Sequence, residues 1–83
     1  MKPSLVRTPP QLGAALRRRR KALGLSQAEL GDRVNVRQAT ISALESGAAD
    51  TKVSTLMDVL AALGFDLALA SRQSGDESFE DLF

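Results

Sequence analysis

The sequence predicts an all-α domain that ends in one short β-strand. Four apolar runs between Leu12 and Leu63 repeat at helical spacing, and they are followed in turn by Gly24, Asn35, Gly47 and Gly64, residues that tolerate the left-handed backbone on which helices commonly close. Only residues 65–71 change period: Phe65, Leu67 and Leu69 alternate with Asp66, Ala68 and Ala70. The two middle runs, between Leu25 and Gly47, are short and nearly contiguous, which makes them two helices around a tight turn.

Helix 1 is expected from Thr8 onward. Thr8 caps it, Pro9 and Pro10 occupy the first turn where no N–H is needed, and Gln11 completes a capping box. The helix runs to Leu23 and Gly24 ends it. Leu12, Ala15, Leu16 and Leu23 form its core stripe, and the five bases from Arg17 to Lys21 wrap the remaining surface. Arg19 and Arg20 both lie near the edge of the stripe, so one of them is expected to pair with an acid inside the fold, because an unpaired charge there is costly. Periodicity does not choose between them.

Helix 2 starts at Gln27, since Ser26 and Glu29 have the spacing of a capping box. Ala28, Leu30 and Val34 give it a narrow apolar side, and Asn35 is placed to turn the chain. The third segment, Arg37 to Glu45, sets Ile41 and Leu44 on one face, with Gly47 closing it. Opposite Ile41 fall Ala39, Ser42, Ala43 and Ser46, with Gln38 at the leading flank. A solvated face usually carries Lys and Glu. Small residues behind one amide instead suit a helix pressed into a DNA major groove, where Gln pairs with adenine and Ala touches a thymine methyl, or a helix packed on another protein helix.

Helix 4 takes Val53, Leu56, Met57, Val59, Leu60 and Leu63 into a broad core face and ends at Gly64. The alternating segment then needs a partner strand, and the chain offers no second one of comparable quality. Pairing with the same strand of a second copy, through Phe65, Leu67 and Leu69, is the economical arrangement; the other is that these residues extend helix 4.

Charge is unevenly placed. The net charge is +1, but residues 1–37 hold nine Lys or Arg against two acids, and residues 73–83 hold four acids and no base. A polycationic front beside such a helix pair supports phosphate binding, although a basic run on its own is more often a solvated surface. The domain plan is thus a flexible arm (1–7), a helical domain (8–64), a dimerisation strand (65–72) and an acidic disordered tail (73–83). Phe79, Leu82 and Phe83 interleave with the tail's acids, which suits a segment that folds onto a partner as well as an unstructured tail.

Composition narrows the function. Without Cys or His there are no disulfides, few routes to zinc and no common general base, and no nucleophile–base pair or phosphate-cradling Gly loop is present. No enzyme, metal or cofactor is expected. Residues 1–6 are too short for a signal peptide and no run reaches membrane length, so a cytoplasmic protein with no membrane partner is expected. At 83 residues the chain buries only about 60 to 65% of its unfolded surface, which makes oligomerisation a natural remedy.

Gln27, Ala28, Leu30, Val34, Val36, Thr40, Ile41, Glu45 and Gly47 resemble the helix-turn-helix of the lambda-repressor-like, phage-repressor and XRE group. Over roughly residues 8–72, including Arg37-Gln38-Ala39-Thr40-Ile41-Ser42 and the downstream helix and strand, the chain is similar to the HipB-like antitoxins of HipBA toxin–antitoxin modules. Gly31 stands where the motif usually has Ala, and Asn35 where the turn usually has Gly.

The resemblance implies that Arg20 forms a structural ion pair with Glu45. It places Gln27 at a phosphate, where helix N-termini attract anions in any case. The candidate base readers are then Arg37, Gln38, Ala39 and Ser42. Candidate phosphate contacts are Gln27, Thr40, Lys52, Arg17 and Arg18. A homodimer would set two such helices in successive major grooves of a palindromic operator in double-stranded DNA, about one helical turn apart. The resemblance further implies autorepression of an operon and a HipA-like serine/threonine kinase toxin as partner, with Phe79, Leu82 and Phe83 as toxin contacts. A free-standing XRE or phage-type repressor shares the DNA expectation and lacks the toxin.

Overall fold

The computed structural model describes residues 4–48 and 50–72. These form four α-helices: α1 Pro9–Ala22, α2 Gln27–Val34, α3 Gln38–Ser46 and α4 Val53–Ala62. α3 lies at the centre, packed by both α1 and α2, and α4 packs on α2. Leu16, Leu30, Ile41, Leu44, Val59, Leu60 and Leu63 form the buried core, and Leu12, Val34, Val36, Leu56, Ala62 and Phe65 pack around it.

The starts of α1 and α2 arise from local chemistry, whereas α3 and α4 begin without a side-chain cap. Thr8 Oγ1 accepts the Gln11 N–H at 3.2 Å, while Gln11 Oε1 accepts the N–H of Arg7 at 2.7 Å, so the reciprocal bond falls one residue earlier than a capping box at Thr8 requires. Around α2 the box is complete: Ser26 Oγ accepts from the Glu29 N–H and Glu29 Oε1 accepts from the Ser26 N–H, at 3.0 and 2.9 Å.

Each of these helices closes in the same way, with a left-handed residue and then an N–H that reaches back over the last turn. The left-handed residues are Gly24, Asn35, Gly47 and Gly64, and the reaching bonds run from Leu25 to Arg20, Val36 to Gly31, Ala48 to Ala43 and Phe65 to Leu60. Asn35 is the only non-glycine among the described residues with positive φ, at 59°. A glycine at position 31 answers to this turn, because a Cβ there would lie 2.7 Å from the Val36 carbonyl oxygen.

Several apolar positions are more exposed than their periodicity predicts. Leu23, at the C-cap of α1, is 43% exposed. Val53 and Met57 on α4 are 72% and 43% exposed, and Ala28 on α2 is exposed. Periodicity identifies an apolar face but does not decide whether anything covers all of it. Helix bounds also move slightly: α1 and α4 end at Ala22 and Ala62, and Arg37 is the N-cap of α3 rather than its first residue.

Residues 65–71 form neither helix nor strand in the single chain. They do not extend α4, since Gly64 stops it with φ 76°. Phe65 folds back on the core, whereas Leu67 and Leu69 are exposed. Phe79, Leu82 and Phe83, expected to contact a partner from an acidic disordered tail, lie outside the described residues.

Candidate nucleic-acid interface

The site begins with a buried ion pair. Arg20 Nε donates to Glu45 Oε2 at 2.6 Å and Arg20 Nη2 donates to Glu45 Oε1 at 2.9 Å, a bidentate fork between α1 and the last turn of α3. Arg20 Nη1 donates to the Leu25 carbonyl at 2.7 Å, so one guanidinium joins α1, the α1–α2 turn and α3. Hydrogen bonding to Glu45 raises the Arg20 pKa above its ordinary value. Burial pushes the Glu45 carboxyl up, but the hydrogen bonds from Arg20 and Gln27 and the charges of Arg20 and Arg17 outweigh it and hold Glu45 below its usual range.

The pair extends toward solvent through two amides. Gln27 Nε2 donates to Glu45 Oε1 at 3.1 Å, and Gln38 Nε2 makes a long contact of 3.5 Å to Gln27 Oε1. The first residues of α2 and α3 are thereby brought side by side, with Gln27 partly buried and Gln38 exposed. Spacing alone does not reveal the Gln27–Glu45 contact, since its partners are 18 residues apart in the chain.

The four candidate base readers occupy one surface. Arg37, Gln38, Ala39 and Ser42 are all exposed, while Ile41, Leu44 and Glu45 on the other side of α3 are buried. Arg37, Ala39 and Thr40 also border an open groove lined as well by Thr51, Lys52 and Thr55, so Thr40 and Lys52 lie beside the candidate base readers Arg37 and Ala39. Of the two α1 candidates, Arg17 acts on Glu45 electrostatically, on the side of α1 that faces α3. Arg18 is exposed but points about 160° around the helix from Arg20, away from this set.

Arg19, which sequence spacing leaves undecided, has a different partner from Arg20. Its Nε donates to the Leu63 carbonyl at 2.8 Å and its guanidinium lies 5.9 Å from the centre of the Phe65 ring. Arg33, exposed at the end of α2, is a further cation that periodicity does not single out. Among the described residues there is no group of acidic side chains able to hold a metal ion and no helix long and apolar enough to cross a membrane.

Two short helices, α2 and α3, around the tight turn at Asn35 and braced by the Arg20–Glu45 pair make a helix-turn-helix protein, and the comparisons with known proteins agree. The helix-turn-helix family model matches residues 16–69, and the chain belongs to that family, of XRE type, whose members are DNA-binding transcriptional regulators and not enzymes. The chain is similar to Antitoxin HipB of Escherichia coli strain K12, 31% identical over 74 residues that span 88% of this chain and 84% of that one. Among solved structures it resembles the HipA-HipB-O2-O3 complex, with a TM-score of 0.76 and 28% identity over 84% of this chain and 99% of that chain. It also resembles the clp gene regulator ClgR from C. glutamicum, with a TM-score of 0.68 and 32% identity over 80% and 85% of the two chains.

Proposed function

We propose that the chain is a homodimeric, sequence-specific operator-binding repressor that acts as the antitoxin of a HipBA-type module. The observation that carries the DNA reading is the face of α3: Arg37, Gln38, Ala39 and Ser42 stand exposed together on a helix held from behind by Arg20 and Glu45. In this reading Gln38 pairs with a base edge and Ala39 and Ser42 allow close approach, each paired contact discriminating by about 1 to 3 kcal/mol. Gln27, Thr40, Lys52 and Arg17 meet phosphates on either side, supported by the converging N-termini of α2 and α3 and the groove between α3 and Lys52. Arg18 is the weakest of the phosphate set.

Two copies join through residues 65–72 as an antiparallel pair. The exposure of Leu67 and Leu69, and of Val53 and Met57 on α4, supports an apolar surface that a second copy covers. The dimer occludes its own promoter. Similarity to HipB in a complex with HipA supports a HipA-like serine/threonine kinase as the protein partner, contacted by Phe79, Leu82 and Phe83 of the acidic tail. The chain works in the cytoplasm without a cofactor.

The likeness to ClgR favours a second reading, a regulator with the same DNA chemistry and no toxin. A pull-down from the native host, using the full chain and a copy ending at Arg72, separates them. Recovery of a HipA-like kinase together with promoter DNA is the expected result, with the kinase lost from the shorter copy. Promoter DNA alone contradicts the antitoxin reading and leaves the repressor.

A further inference from the structure

Arg19 and Arg20 are adjacent in α1 but bind different elements. Arg20 is consumed by Glu45, whereas Arg19 reaches 44 residues along the chain to the end of α4. Leu63 is the C-cap of α4, and its carbonyl is one of the groups that a helix end leaves without an intrahelical partner. Arg19 Nε satisfies it at 2.8 Å and adds a positive charge where the α4 dipole is negative. The same guanidinium sits over the Phe65 ring, and its Nη2 lies 3.3 Å from where a Cβ on Gly64 would be. Leu63 and Phe65, on either side of Gly64, are therefore both held by one side chain of α1, at the point where the chain leaves the helical domain.

Beyond Phe65 runs the segment whose exposed Leu67 and Leu69 have no cover in the single chain. A strand can pair across a two-fold axis only if it departs from each domain in one fixed direction, because a small angular error at Phe65 grows along the segment. We propose that Arg19 is a positioning residue for self-association: it sets the exit direction of residues 65–72, so that a second copy of this chain can pair with them. The proposal rests on the dimer reading above. It also explains why a cation stands partly buried among apolar residues: it is neither a DNA contact nor a partner for Glu45.

The test uses the full chain and measures the self-association constant by sedimentation equilibrium for wild type, Arg19→Ala, Phe65→Leu and Leu67→Asp. Arg19→Ala removes a charged hydrogen bond and a cation–π contact, so self-association weakens about tenfold, with helix content by circular dichroism unchanged. Phe65→Leu keeps an apolar anchor, loses only the ring, and weakens association a few-fold. At protein concentrations that saturate the dimer, the slope of operator affinity against salt stays at the wild-type value in Arg19→Ala, because no phosphate contact is lost. A slope smaller by about one unit would make Arg19 a phosphate contact and overturn the proposal. Self-association within twofold of wild type in Arg19→Ala, while Leu67→Asp abolishes it, also overturns the proposal and leaves the dimer reading standing. Unchanged association in Leu67→Asp sinks the pairing of residues 65–72, on which the proposal rests.

Discussion

Arg20 and Glu45 clasp each other through two hydrogen bonds of 2.6 and 2.9 Å, with their side chains only 8% and 4% exposed, and this contact fixes the last turn of α3 against α1. Gln27 joins the same carboxylate and in turn meets Gln38, so the contact reaches the exposed N-terminal end of α3.

Removing one partner leaves the other charge buried and uncompensated. Arg20→Met is expected to lower stability by about 3 kcal/mol or more, measured as the free energy of urea unfolding. The double replacement of Arg20 and Glu45 by apolar residues recovers part of the loss, because no buried charge then remains.

Acid should weaken the fold through the same pair. Glu45 has a folded pKa below its ordinary value of 4.5, so it binds a proton less readily in the folded state than in the unfolded one. Its contribution to stability is complete above that ordinary value and is lost as pH falls through the depressed folded value. Glu29, lowered by its hydrogen bonds with Ser26, acts in the same direction. Unfolding midpoints between neutral pH and about pH 3 are expected to fall on the acid side, and Glu45→Gln to flatten that decline.

Gln27 and Gln38 should be coupled in operator binding. Each change to Ala is expected to reduce affinity by about 1 to 3 kcal/mol, with the double variant losing less than the sum, since the two amides touch. A double-mutant cycle on operator affinity measures this. Strict additivity would show that the amides act independently on DNA.

Gly13 governs how closely α1 approaches α3. A Cβ at this position would fall 2.3 Å from the Glu45 carbonyl oxygen and 2.6 Å from that of Leu44, both backbone atoms with little room to yield. Gly13→Ala is expected to cost about 1 to 3 kcal/mol despite alanine's better helix propensity, seen as a lower denaturant midpoint.

The helix ends are legible in the sequence because they are local. Ser26 with Glu29, Asn35, and the glycines at 24, 47 and 64 each act within a few residues, and all behave in the structure as their spacing predicts. Long-range choices are not legible. Nothing in periodicity distinguishes Arg19 from Arg20, because both lie on the edge of one stripe and their partners come from distant elements; only family resemblance selects Arg20 for Glu45. The Gln27–Glu45 bond and the Arg19–Leu63 bond escape sequence reasoning on the same ground. Val53 and Met57 carry a core pattern yet stand exposed, because an apolar pattern holds no information about which molecule covers it.

The most direct measurement is the affinity of the full chain for duplex DNA from the promoter upstream of its own gene, against a scrambled duplex, over a range of salt concentrations, for wild type and Gln38→Ala. The wild type is expected to lose affinity steeply with salt and to prefer the promoter, while Gln38→Ala keeps the salt dependence and loses most of the preference. A wild-type chain that binds neither duplex in a salt-dependent way, or a Gln38→Ala variant with its preference intact, would contradict base reading by α3.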